Sequence, residues 1–84
     1  MSWIVYILEC GDGTLYTGIT NNLASRVVAH ESGQGAKYTR GRSPFKVIYK
    51  EALENRSKAS KREGQIKALS RKEKLELLGK SNLI

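Results

Sequence analysis

The stretch "WIVYILECGDGTLYTGIT", Trp3 to Thr20, constrains the fold of this chain more than any other. Aromatic and β-branched residues dominate Trp3 to Cys10, and "GDG" at Gly11 to Gly13 is a turn signal. Leu15 to Ile19 then reads as the hairpin partner. A three-residue loop sets Cys10 opposite Thr14, so the ladder places Leu8 opposite Tyr16 and Tyr6 opposite Gly18. Tyr6, Tyr16 and Gly18 therefore share one face. A slip of one residue would send the two tyrosines to opposite faces, so this arrangement depends on the turn. Gly18 is itself an unusual strand residue, because it adds no packing and costs backbone entropy. It reads as clearing a hollow beside two phenols, for a bound group or for a closely packed helix.

The rest of the chain supplies helices and one more strand. Asn21 or Asn22 can cap a helix over "NNLASRVVAHESG", with Leu23, Ala24, Val27 and Val28 apolar and Gly33 as a left-handed stop. Gly33 to Pro44, "GQGAKYTRGRSP", is rich in glycine and basic residues and reads as a surface loop. Phe45 to Ala52 alternates as a third strand. Ser57 can cap a second helix running to about Leu69. "SRKE" at Ser70 to Glu73 is a capping box that opens a third, with Leu75, Leu77 and Leu78 apolar and Gly79 ending it. The order ββαβαα describes an α+β fold, helices packed on a small sheet, in one domain over residues 1–84. There is no internal repeat, linker or low-complexity tract.

At 84 residues the chain can bury one modest core. A single cysteine, Cys10, and a single histidine, His30, rule out an intramolecular disulfide and a Cys/His zinc site. No stretch approaches the ~20 apolar residues of a membrane span, and the opening "MSWIVYILEC" lacks the basic start and cleavage site of a secretory signal. The expectation is a cytoplasmic protein with no membrane association. Fifteen Lys and Arg against 8 acidic residues leave a net charge of +7. A surplus of that size on so small a body points to nucleic acid as partner, because each cation set against a phosphate releases condensed counterions. The plainer alternative is a solvated basic surface.

Some polar residues fall where a core should be. On the second helix the inward stripe of Ala59, Ile66 and Leu69 also contains Glu63. An unpaired buried carboxylate is costly, so Glu63 calls for a cationic partner, a hydrogen-bond network or a metal ion. Its plainer reading is a rim glutamate paired with Arg62 or Lys67. On the first helix Arg26 and His30 lie four residues apart on one edge of the apolar stripe. A guanidinium fork suits a phosphate and an imidazole titrates near neutral pH, although two boundary side chains can also simply snorkel around a core. Two phenols, an arginine, an imidazole and a carboxylate in a basic protein are the kit for phosphodiester hydrolysis.

The ordered set "VYI" at Val5 to Ile7, "YTG" at Tyr16 to Gly18, "RVVAH" at Arg26 to His30 and "REGQIK" around Glu63 resembles the GIY-YIG nuclease superfamily. The layout is most similar to its small stand-alone bacterial proteins, in which "GAKYTRG", Gly35 to Gly41, is a familiar segment. The resemblance implies a three-stranded antiparallel sheet flanked by helices, with a single active site. It gives Tyr6 the role of activating water, Tyr16 that of positioning water or phosphate, and Arg26 that of binding the scissile phosphate. His30 falls at the proton-relay position, Glu63 at that of the single ligand of one Mg²⁺ or Mn²⁺, and Gly18 at the motif glycine. The late asparagine of many members is not assigned to Asn82. The implied activity is a metal-dependent endonuclease or nickase on DNA, structure-specific and acting in repair or recombination; the alternative is a non-catalytic nucleic-acid-binding module of the same fold. Gly18, Lys37, Tyr38, Arg40, Arg42 and Lys67 are the expected nucleic-acid contacts. A monomer helped by a recruiting protein partner fits a chain with no room for a targeting domain. Gly64, inside the second helix, costs about 1 kcal/mol relative to alanine, so it signals a close contact or a less rigid helix.

Overall fold

A computed structural model describes residues 2–81, in the order β1 (Trp3–Glu9), β2 (Leu15–Thr20), α1 (Leu23–Glu31), β3 (Lys46–Leu53), α2 (Arg56–Lys67) and α3 (Arg71–Ser81). The hairpin forms in the register its turn dictates, with Leu8 opposite Tyr16 and Tyr6 opposite Gly18. The Cys10 N–H donates to the Thr14 carbonyl at 2.8 Å, and Gly13 takes the left-handed φ of +84° that the loop needs. β3 pairs antiparallel on the other side of β1, with an irregularity between Ile7 and Leu8, giving the strand order β2-β1-β3. β1 is therefore central, and its Val5, Tyr6, Ile7 and Leu8 are fully buried on both faces.

The two faces of the sheet have different jobs. Val5 and Ile7 pack with Ala59 and Ile66 of α2 and Leu78 of α3, with Leu15, Ile19 and Leu53 at the margin. Each such apolar side chain contributes roughly 1.5–3 kcal/mol on burial, so this layer is the source of most of the stability. The opposite face carries Tyr6 and Leu8, and is covered by α1 and by the loop that follows it. There the buried partners are His30 and Thr39, both polar.

Several boundaries differ from those read in the sequence. On α1 the half-buried and buried positions are Leu23, Arg26, Val27, Ala29 and His30, while Ala24 is exposed and Val28 is 66% exposed. The inward stripe thus keeps Leu23 and Val27 but leaves out Ala24 and Val28, and Arg26 and His30 lie within it and not on its edge. The reason is that the sheet face beneath α1 presents phenol hydroxyls, which the polar Arg26 and His30 complement. Asn22 is the cap, its side chain accepting from the Ser25 N–H at 3.1 Å. α2 is capped by Asn55, which accepts from the Lys58 N–H at 2.9 Å, and not by Ser57. The Ser70–Glu73 capping box forms in both directions, at 3.1 and 2.9 Å. α3 continues through Gly79 to Ser81, and Asn82 lies outside the described residues. The loop of residues 33–45 contains a 3-10 turn at Lys37–Thr39. Phe45 precedes β3 because its ring turns inward against His30, 5.8 Å between centroids, while its N–H donates to Glu31 Oε1 at 2.9 Å. Among the described residues no helix is long and apolar enough to cross a membrane.

Candidate active site

Under α1 a chain of hydrogen bonds runs from the sheet to the loop. Tyr6 Oη and His30 Nε2 are 3.0 Å apart, and His30 Nδ1 is 2.9 Å from Thr39 Oγ1. The Thr39 hydroxyl donates its one proton to the Ala36 carbonyl at 2.8 Å, so toward His30 it can only accept. That assigns the Nδ1–H tautomer and leaves Nε2 as a lone pair facing Tyr6. The phenol therefore donates, and His30 is built as the acceptor of the Tyr6 proton. All three residues are buried, His30 and Thr39 each to within 1% of complete.

Electrostatics reinforce this polarity. Burial, and next the positive charge of Arg26, hold the His30 pKa below its ordinary value, so the ring is neutral at physiological pH. Burial likewise pushes the Tyr6 phenol up, against the pull of the Arg26 guanidinium, so its proton is present until a base takes it. Arg26 lies beside Tyr6 and also beside Tyr16, and these phenols raise its own pKa. Tyr16 completes the cluster, its ring 5.3 Å from His30 and 6.2 Å from Tyr6. Tyr6, Tyr16, Arg26 and His30 thus converge from β1, β2 and α1.

Two glycines make the cluster possible. A Cβ on Gly18 would stand 2.7 Å from Tyr6 Oη and 2.9 Å from Tyr16 Cε2. The hollow expected beside Gly18 is therefore filled by the phenols themselves, and a buried Gly18 serves as their seat and not as a nucleic-acid contact. A Cβ on Gly35 would overlap the His30 ring, coming within 2.8 Å of Cγ. The loop backbone closes over the imidazole there and excludes water from it. Neither Gly35 nor Thr39 was singled out for the site in the sequence, since nothing local marks a loop residue as the partner of a helix nine positions earlier.

Glu63 belongs to the layer on the other face, yet it is close enough to the phenol for its charge to add a minor upward push to the Tyr6 pKa, after burial and after Tyr16. Its side chain is 21% exposed and pairs with Lys67 Nζ at 3.4 Å. Among the described residues no three His, Cys, Asp or Glu side chains come together. The donor set is one partly buried carboxylate. That fits a hard divalent cation held by one acidic side chain, with substrate phosphate and water completing its shell, as Mg²⁺ commonly is. It does not fit a dedicated protein cage.

The expected nucleic-acid contacts divide into three groups. Lys37 and Arg40 are exposed on the loop. Arg42 is committed within the protein: its guanidinium pairs with Asp12, lies 4.6 Å above the Tyr38 ring, and its Nε donates to the Tyr38 carbonyl at 2.7 Å. These contacts brace the loop. Tyr38 is 47% exposed and stacks on Tyr16 at 6.0 Å and 25°, placing an open aromatic face at the rim. Lys67, half exposed, sits with Tyr16 and Tyr38 around a single cavity of about 330 Å³.

Comparison with known proteins bears on the family and the fold. A family model described as the GIY-YIG catalytic domain matches residues 2–76. The UPF0213 protein CPE1444 of Clostridium perfringens is 53% identical, over 94% of this chain and 85% of its own length. The UPF0213 protein OB0043 of Oceanobacillus iheyensis is 57% identical over 88% and 86%. Among solved structures, the UPF0213 protein BH0048 of Bacillus halodurans aligns with a TM-score of 0.62 at 46% identity, covering 94% of this chain and 84% of that one. The protein EF2693 of E. faecalis aligns at 0.69 and 41%, covering 100% and 90%. With the family model spanning most of its length and these small relatives matching nearly end to end, the chain belongs to the GIY-YIG family, among its stand-alone UPF0213 proteins.

Proposed function

We propose that the protein is a divalent-metal-dependent endonuclease or nickase that hydrolyses DNA phosphodiester bonds. The observation that carries this reading is the polarised Tyr6–His30–Thr39 chain beneath Arg26. A structural tyrosine needs only one hydrogen-bond partner; this one faces a neutral imidazole whose tautomer is fixed so that it can take a proton.

In the proposed reaction Arg26 and Tyr16 receive the scissile phosphate, the guanidinium offsetting its charge. Drawn to the phosphate, Arg26 leaves the phenol oxygens beside it to the attacking water. As the water oxygen bonds to phosphorus, its proton passes to Tyr6 Oη and the Tyr6 proton passes to His30 Nε2. The bond from phosphorus to the leaving sugar oxygen breaks, and that oxygen is protonated from solvent. Thr39 keeps the ring oriented and stabilises the imidazolium that forms. Glu63 would hold the metal ion, which supplies charge neutralisation at the phosphate. The proposed substrate is branched or distorted DNA, with a role in repair or recombination.

The Glu63–Lys67 pair favours a second reading, a module that binds nucleic acid without cutting it, because the carboxylate already has a cation. Incubating supercoiled and branched DNA with wild type and Glu63→Gln, with Mg²⁺ or Mn²⁺ and with EDTA, separates the two. The nuclease reading expects nicking that needs the metal and disappears in the variant. Equal binding with no cleavage by either protein would leave only the module.

A further inference from the structure

Beyond the reacting groups, the free edge of β2 borders a cavity of about 330 Å³ lined by Leu15, Tyr16, Thr17, Tyr38, Lys67 and Lys74. We infer that this cavity is a subsite for the nucleotide that adjoins the scissile phosphate, its base on Tyr38 and its phosphate between Lys67 and Lys74. The inference rests on the site acting on nucleic acid and adds residues with no part in the proton chain.

Four observations converge on that ligand class. The Tyr38 ring is a preset platform: Tyr16 supports it at 6.0 Å and 25°, Arg42 fixes it from 4.6 Å, and it is still 47% exposed. An aromatic surface held in this way is what an unstacked base needs, and it is indifferent to which base arrives. The lining includes Lys74 and Lys67, the latter sharing its charge with Glu63 at 3.4 Å, and no acidic residue, so the cavity attracts an anion. Thr17, which also lines the cavity, is 4% exposed, and its hydroxyl is buried with no hydrogen-bond partner among the described residues. A lone buried hydroxyl is costly unless a ligand oxygen or a water answers it. Finally, an adjoining cavity of about 210 Å³ shares Leu15, Tyr38 and Lys74 and adds Arg71, so the cationic wall continues along the strand edge. An apolar ligand would leave both lysines and the hydroxyl unused, and a free inorganic anion would leave Tyr38 unused. A nucleotide uses all of them.

The test is equilibrium binding of a fluorescent oligodeoxythymidylate, followed by anisotropy in EDTA so that nothing is cut. Tyr38→Leu, Thr17→Val, Lys74→Gln and the control Lys72→Gln are compared with wild type, and a thermal melt is recorded for each. The inference expects Tyr38→Leu to weaken binding about 5- to 100-fold, the range for loss of one stacked base. Lys74→Gln should weaken it and lower the slope of log affinity against log salt by about 1, while Lys72→Gln, which lines neither cavity, leaves the affinity within about twofold. Thr17→Val should bind less well while melting no lower, since a merely structural orphan hydroxyl gains stability on removal and leaves binding alone. Wild-type affinity in both Tyr38→Leu and Thr17→Val overturns the subsite, even if Glu63→Gln abolishes nicking. Weakened binding in those variants, with no nicking by wild type, upholds the subsite and removes the nuclease reading. An oligouridylate bound as tightly as the deoxy strand would overturn the restriction to DNA.

Discussion

Tyr6 of the central strand and His30 of the first helix, 24 residues apart in the chain, meet at 3.0 Å with both side chains buried. The proton between them has a defined home. Thr39 commits the far ring nitrogen to donation, so only Nε2 can receive, and burial keeps that nitrogen free of a proton at neutral pH. A phenol whose pKa is raised by burial becomes useful as a base only if something takes its proton as it acts, and this geometry provides that group.

Cleavage should therefore fall on acidification with an apparent midpoint below the ordinary histidine value of about 6.5, because it requires neutral His30. Above that midpoint the rate stays level until Tyr6 itself ionises, above the usual tyrosine value. Stability has the same sign. A histidine with a depressed folded pKa contributes fully above about pH 6.5, and that contribution is lost as the pH falls through the folded pKa. Urea denaturation of wild type and His30→Gln between pH 5 and 8, beside single-turnover rates, checks both statements. An acid limb unchanged in the variant would contradict them.

Thr39→Val should lower the cleavage rate at saturating DNA by about tenfold or more while leaving DNA affinity near wild type, and Thr39→Ser should restore it. The hydroxyl acts through the imidazole tautomer and touches no substrate. His30→Ala should cost more, about 10²- to 10⁴-fold, the usual range for a positioned proton acceptor. Rate measurements paired with binding in EDTA separate these losses from weakened affinity.

Two glycine replacements should move stability in opposite directions. Gly18→Ala drives a methyl to 2.7 Å from the Tyr6 oxygen, and forced overpacking at a buried site costs about 1–3 kcal/mol. Gly64→Ala meets nothing within 4 Å on an exposed helix position and should stabilise by about 0.5–1 kcal/mol. Urea midpoints decide, and a loss of stability in Gly64→Ala would mean that this glycine has a role the fold does not display.

The start of α2 can be tested in the same way. Asn55→Ala should cost about 1 kcal/mol, because its side chain satisfies the Lys58 N–H. Ser57→Ala, inside the first turn and exposed, should stay within about 0.5 kcal/mol of wild type.

Local chemistry written in the sequence determined much of this protein. The "GDG" turn set the hairpin register, and the register alone put Tyr6, Tyr16 and Gly18 on one face, as the strands pair. The capping box at Ser70 and Glu73 formed as spelled, since both partners lie within one turn of helix. What the sequence left open lies between segments. Periodicity ranked both Val27 and Val28 as inward, but the face α1 meets carries phenol hydroxyls, so Arg26 and His30 share the inward side with Val27 and Val28 is left to solvent. The hollow read at Gly18 became the seat of the two phenols, because only packing decides what fills a missing side chain. Thr39 and Gly35 lie in the familiar "GAKYTRG" segment, but nothing local in it points to His30. Their roles arise where the loop folds back over α1, and the energy that fixes that path comes from buried contacts and hydrogen bonds among residues far apart in the chain.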